Sequence, residues 1–275
     1  LIRSAFLSLA AAALSTPSAA PGRRIVSLVP SLTEMLFAIG AGRRVLAVSS
    51  FTTYPAAAAA LPVVATFASI DAERIVALHP DLVVGIASQD ALVRDVRRAG
   101  LNVHLLADDG YEDIFNNILE LGRLTGREAA ARQLNGDLRA RTASLTAAVP
   151  KRRKRPRIFV VLQVAPIYTA GNASFLAALI ALAGGVNAAS ALPTAYGRFS
   201  DEALLALQPD AIVADELSGF AGVLDRAPWN ALRAVRSKHA FILTKVDADV
   251  LERPGPRYNE GLKRLIDIVN ATPSA

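Results

Sequence analysis

Residues 73–84 read Glu-Arg-Ile-Val-Ala-Leu-His-Pro-Asp-Leu-Val-Val, and residues 202–213 read Glu-Ala-Leu-Leu-Ala-Leu-Gln-Pro-Asp-Ala-Ile-Val. Each copy has an acidic residue at the head of a short apolar helix, a Pro-Asp stop and a buried strand. Two copies half a chain apart fit two similar lobes, whereas a solenoid repeats every ~20–50 residues. A cleft between such lobes suits a small-molecule site. Matched acidic residues, Glu73 and Glu202, suit a two-fold symmetric partner.

The 275 residues suffice for two domains. Hydrophobic residues make up 52% and charged ones 20%, so the chain folds. Residues 1–20 are expected to be a cleaved secretory signal. Arg3 supplies the positive start, Ala5–Leu14 the apolar stretch, and Ser18-Ala19-Ala20 the small residues before the cut. No later segment holds ~18 uninterrupted apolar residues, so a soluble mature protein is expected. The absence of cysteine excludes disulfides, thiolate metal sites, a cysteine nucleophile and a lipid-modified cysteine. Export without disulfides points to a bacterial periplasm. The formal charge of +6 is concentrated in Lys151-Arg-Arg-Lys-Arg155. In an exported protein this run is expected to be the solvated end of a helix, with no nucleic acid as partner.

Strand signals at 24–29, 45–48, 82–84 and 103–106 alternate with helical segments near 34–39, 73–78 and 91–99, which argues a parallel sheet. Ser31 or Thr33 is expected to cap the first helix, and Asp71 that around Glu73. Residues 112–148 are helical in pattern. Thr125-Gly-Arg-Glu128 fits a capping box that restarts the helix, and the second part spans ~30 Å as a stiff link. Strands at 157–162, 211–214 and 241–243 and helices at 173–183, after a Ser200 cap, and at 260–270 repeat the plan. The fold class is therefore α/β: two Rossmann-like lobes with parallel sheets, joined by one long α-helix, with the ligand cleft between them. The expected boundaries are 21–109, 110–150 and 151–275. A stiff link implies modest closure.

Arg24-Ile-Val-Ser-Leu-Val-Pro-Ser-Leu-Thr-Glu34, the paired Glu…Pro-Asp segments and Arg253-Pro-Gly-Pro-Arg257 resemble substrate-binding proteins of ABC importers for cobalamin, haem and iron-siderophores. The resemblance runs from about residue 22 to 270 and is nearest the cobalamin-binding branch. It implies a monomer that captures a bulky metal chelate as cargo, with no prosthetic group, and delivers it to a permease dimer with its ATPase. It places Glu73 and Glu202 where acids pair with permease arginines. Both also sit in a first helical turn, where a carboxylate is favoured by ~0.3–1 kcal/mol.

Ligands of open α/β sheets lie beyond the carboxyl ends of the strands. That selects Ser31, Phe51, Tyr54, Phe67, Ile86–Ser88, Tyr168, Asn172, Tyr196–Phe199 and Asp249–Arg253. The resemblance puts Tyr54, Phe67 and Tyr196 against the macrocycle, and Asp249 and Arg253 against its amide periphery; Ser31 and Phe199 complete the expected site. Haem is the main rival ligand and needs a Tyr or His. The position that would carry that tyrosine is Phe67, and His79, His104 and His239 sit in structural settings. Tyr54, Tyr168 or Tyr196 remain as iron ligands. Anionic siderophores are a third option, with Arg198, Arg253 and Arg257 as counter-charges. The only tryptophan, Trp229, sits in a Pro-Trp-Asn stretch expected to pack a helix start, and no resident metal site is expected. A glycine-rich phosphate loop, a nucleophile elbow and a His-x-x-x-His pair are all absent, and Asp108-Asp109 with Glu112 read as helix caps, so no enzyme is expected. A sensory adaptor without transport is the alternative class.

Overall fold

The computed structural model describes residues 23–273; the expected signal at 1–20 lies outside them. The first lobe runs β1 (Ile25–Ser27), α1 (Pro30–Ala38), β2 (Val45–Ser49), α2 (Ala56–Ala59), β3 (Val63–Ala65), α3 (Ala72–Ala77), β4 (Leu82–Ile86), α4 (Arg94–Arg98) and β5 (Val103–Leu106). Its five strands are parallel in the order β3-β2-β1-β4-β5. The central strands are buried on both faces, as helix-covered parallel strands must be.

Helix α1 begins earlier than the sequence suggests. Pro30, pre-set for a first helical position, opens it after Val29, so Ser31 and Thr33 lie inside the helix and cap nothing. Thr33 instead donates its hydroxyl to Ser27 Oγ at 2.8 Å.

Helices α5 (Tyr111–Thr125) and α6 (Glu128–Ala147) lead to the second lobe. Gly126, at φ 65°, ends α5 in the left-handed conformation, and Arg127 N donates to Gly122 O at 2.7 Å. The expected capping box does not form, because Thr125 donates back to Leu121 O within α5. The two helices fold against each other. Asn135 Nδ2 donates to Phe115 O at 2.9 Å, and Arg139 pairs with Glu112 at 2.6 Å. The 20 residues of α6 span about 30 Å.

The second lobe runs β6 (Arg157–Val161), β7 (Gln163–Val164), β8 (Ile167–Ala170), α7 (Phe175–Leu182), β9 (Val186–Asn187), β10 (Tyr196–Arg198), α8 (Asp201–Leu207), β11 (Ala211–Asp215), α9 (Arg233–Arg236), β12 (Ala240–Leu243), α10 (Lys245–Leu251) and α11 (Tyr258–Ala271). Its parallel sheet has the order β12-β11-β6-β9, and β10-β8-β7 form a small antiparallel sheet. The basic run lies in the loop before β6, not in a helix. There Arg152 donates to Thr272 O at 2.9 Å and Asn270 O at 3.2 Å, satisfying carbonyls at the end of α11. Trp229 is buried edge-on to Phe220, inside the second lobe.

The duplicated segments build the same device twice. Asp71 caps α3 through Arg74 N, and Ser200 caps α8 through Ala203 N, as the sequence predicts. Asp81 then accepts Arg24 N at 2.6 Å, and Asp210 accepts Arg157 N at 2.8 Å. The same two arginines reach back to the helix ends, Arg24 to Leu78 O and Arg157 to Leu207 O. Each Pro-Asp therefore clasps the first strand of its lobe.

One apolar cluster runs through both lobes. It joins Leu36 and Val84 of the first lobe, Ile114 and Leu138 of the linking helices, and Val160 and Leu262 of the second. A smaller cluster around Phe159 and Trp229 belongs to the second lobe alone, and one around Val26 and Val96 to the first.

Candidate functional site

A cleft of about 540 Å³ opens between the lobes. Its first wall is made by the ends of β1, β2, β3 and β4 and the turns after them, with Pro30, Ser49, Phe51, Phe67 and Ser88. Its second wall comes from Asp215 and Leu217 at the end of β11, and from α10. Gln89 closes the floor, donating to Leu28 O at 3.2 Å while its oxygen accepts Ile86 N at 3.1 Å. Both walls lie at the carboxyl ends of strands, but Tyr168, Asn172 and Tyr196–Phe199, expected there in the second lobe, do not line the cleft.

Of the expected ligand residues, Phe67, Asp249 and Arg253 line this cleft together. Phe67 stands at the mouth, 89% exposed, an apolar face with nothing packed on it. Asp249 on α10 is paired with Arg253, just past the end of that helix. Asp249 also accepts the Thr53 hydroxyl at 3.0 Å, and Arg253 lies 3.7 Å from Glu34 of α1. These contacts tie the first lobe to the second directly beneath the cleft.

Ser31, Tyr54, Tyr196 and Phe199 lie elsewhere. Ser31 is buried beside Gly255, behind the floor. Tyr54 stacks under the Arg257 guanidinium, 4.2 Å from it, and lines a separate cavity of about 440 Å³ with Glu34, Leu134 and Arg141. Tyr196 is half-buried against the shared core, and Phe199 packs edge-on to Phe159 at 5.4 Å. Arg257, offered as a counter-charge, is paired with Glu260 at 2.8 Å. His104 lies 3.0 Å from Glu120 and His239 3.0 Å from Ser237, and neither lines the cleft. Asp113, rather than Asp108 or Asp109, caps α5 by accepting Gly110 N.

Sequence reasoning misses helix α10, and with it Lys245; Glu252 falls within the expected Asp249–Arg253 span. A signal was present: Thr244 is followed three residues later by Asp247, and the Thr244 hydroxyl caps the helix through Asp247 N. Asp215 and Leu217 were also missed, although they sit at the carboxyl end of a strand in the repeated segment.

Burial pushes the Glu252 carboxyl up to about 8, helped by Asp215 and Asp249 and opposed by Arg253. Near neutrality Glu252 is therefore chiefly a neutral acid that can donate a hydrogen bond. Burial likewise lifts Glu34 to about 7 despite Arg257 and Arg253. Asp108 is pushed to about 6 by burial and by Asp109 and Asp113. Burial, with Asp108 and Asp109 nearby, raises the Tyr196 phenol and keeps it protonated. Among the described residues lining the cleft there is no Tyr, His or Trp. Glu73 and Glu202 are exposed in the first turns of α3 and α8, and no ion pair among the described residues engages either.

Residues 25–246 match the periplasmic binding protein family. An uncharacterized ABC transporter substrate-binding lipoprotein, YvrC of Bacillus subtilis, is 30% identical over 256 residues, covering 90% of this chain and 80% of its own length. The periplasmic vitamin B12-binding protein BtuF of Vibrio cholerae superposes with a TM-score of 0.77 at 28% identity, over 91% of this chain and 98% of its own. The periplasmic heme-binding protein RhuT of Roseiflexus, in apo form, gives a TM-score of 0.80 at 26% identity, over 91% and 99%.

Proposed function

The chain belongs to the periplasmic binding protein family, as an ABC-transporter substrate-binding protein, and from that footing we propose that it captures cobalamin or a closely related corrinoid between its lobes and hands it to a permease dimer driven by an ATPase. One observation carries the choice of ligand: the described residues that line the cleft include hydrogen-bonding acids but no Tyr or His to hold a haem iron. Haem needs an axial Tyr or His from the protein. Its carboxylates, like those of an anionic siderophore, would also meet Asp215 and Asp249 on the second wall. A corrinoid arrives with its metal already held by its own ring, and its rim carries neutral amides. Amide N–H groups donate to Asp215 and Asp249, and amide carbonyls accept from Glu252 and Arg253. The exposed faces of Phe67 and Leu217 suit the flat, partly apolar ring.

Glu73 and Glu202 are the proposed docking contacts, one on each lobe, unpaired and at equivalent points of the repeat. Reversing both charges blocks uptake and leaves ligand affinity intact; unchanged uptake removes this role. Binding and delivery are the whole task, with no chemical step. The expected signal and the periplasmic binding protein family both support a periplasmic location for this work.

Calorimetric titration with cyanocobalamin, haem and a ferric hydroxamate tests the ligand. Cyanocobalamin is expected to bind. A haem complex with a tyrosinate-type visible spectrum, and no corrinoid binding, overturns the reading.

A further inference from the structure

Two cations line the cleft, and they differ in their partners. Arg253 is paired with Asp249 through Nη2, while its buried Nη1 has no hydrogen-bond partner among the described residues and lies 3.7 Å from Glu34. Lys245, at the start of α10, has no carboxylate within 4.0 Å among the described residues. Its ammonium stands 5.8 Å from the centre of the Phe51 ring, across the mouth on the other lobe. That separation is at the outer limit of a cation–π contact, so the charge is held in position but not neutralised. The loop carrying Phe51 also brings Ser49 and Ser50 to the cleft. Ser49 is only 3% exposed, and both hydroxyl oxygens are buried without a hydrogen-bond partner. Lys245, Ser49 and Ser50 thus line one cleft, with Lys245 facing the ring of Phe51, the residue after Ser50, and the cleft's other charged groups are mostly acids. Buried polar groups gain by acquiring a partner, and the partner that satisfies a lysine and two hydroxyls together is an anionic oxygen.

We propose that Lys245, with Ser49 and Ser50, forms a subsite for the phosphodiester of a corrinoid's nucleotide loop and so selects complete corrinoids over those lacking the loop. This rests on the corrinoid reading above. A lysine is a natural point-charge partner for a phosphate. The acids of the second wall meanwhile disfavour placing that phosphate deeper in the cleft, so the same residues fix which end of the ligand enters first. No bond is made or broken; the contact is electrostatic and screened by salt.

The test compares cyanocobalamin with cobinamide, which lacks the nucleotide and its phosphodiester, on the wild-type chain and on Lys245→Met, Lys245→Arg and Ser50→Ala. Lys245→Met is expected to weaken cyanocobalamin about fivefold, as for a partly exposed charge contact, and to flatten its salt dependence. Cobinamide affinity is expected to stay unchanged, Lys245→Arg to keep the preference, and Ser50→Ala to weaken it. Equal loss for both ligands, or no loss for either, overturns the subsite while leaving the corrinoid reading in place. Failure of the wild-type chain to bind either corrinoid overturns that reading, and the subsite with it.

Discussion

His79 and Gln208 occupy the same step of the two repeats and share a left-handed backbone, with φ of 46° and 43°. Each turns the chain from a short helix into Pro-Asp and then a strand. A non-glycine residue in this conformation costs about 1 kcal/mol or more. His79→Gly is therefore expected to stabilise the protein by about 0.5–1 kcal/mol. Gln208→Gly is expected to give no gain, because the Gln208 side chain accepts Arg233 N at 2.9 Å and donates to Leu205 O at 3.0 Å. Paired urea melts of the two variants check the contrast.

The Pro-Asp clasps differ in depth. Asp81 is exposed, whereas Asp210 is buried and also pairs with Arg233. Asp81→Ala is expected to cost about 1 kcal/mol, and Asp210→Ala about 2–4 kcal/mol, since it strands a buried strand-end N–H and removes an ion pair. Chemical denaturation distinguishes them.

Stability should fall as pH rises. Glu34 and Glu252 hold protons in the folded protein at pH values where the unfolded chain, with carboxyls near 4.5, has lost them. The folded state then binds more protons, and stability declines with pH between about 4.5 and about 8. The melting temperature should be highest at the acid end of that window. Glu252→Gln should flatten the decline, and a melting temperature that rises with pH would contradict the assignment.

Gly122 sits where the two linking helices pack closely. A Cβ there would lie 2.6 Å from Ala131 Cβ and 3.3 Å from Arg127 O. Alanine is ordinarily the better helix residue by about 1 kcal/mol. Here overpacking outweighs that gain, and Gly122→Ala is expected to destabilise by about 1–3 kcal/mol, measured by thermal melting.

Much of the fold was legible because its signals are local. Apolar runs such as 82–84 and 211–214 can only be buried strands, and Asp71 and Ser200 stand where caps stand. The start of α1 was misjudged because two good capping residues follow a proline that itself begins the helix. The small β7-β8-β10 sheet escaped because its strands are two to four residues long. The site was harder to read. Strand order selects which loops reach the cleft, but not which way a side chain turns within them. Phe51 and Tyr54 share one loop, yet Phe51 faces the cleft and Tyr54 turns away beneath Arg257, a residue near the other end of the chain. Asp249 and Arg253 line the cleft where the resemblance implies them, although no helix is read there from the sequence.

The shared core also makes the two halves mutual chaperones. Leu36 and Val84 pack in the same cluster as Val160 and Leu262, so neither half buries all of its apolar surface without the other. A chain nicked in the exposed basic loop at 151–155 should keep its halves together and unfold in a single transition, while either half made alone should aggregate. Duplication has here produced two copies of a lobe that have given up independent existence.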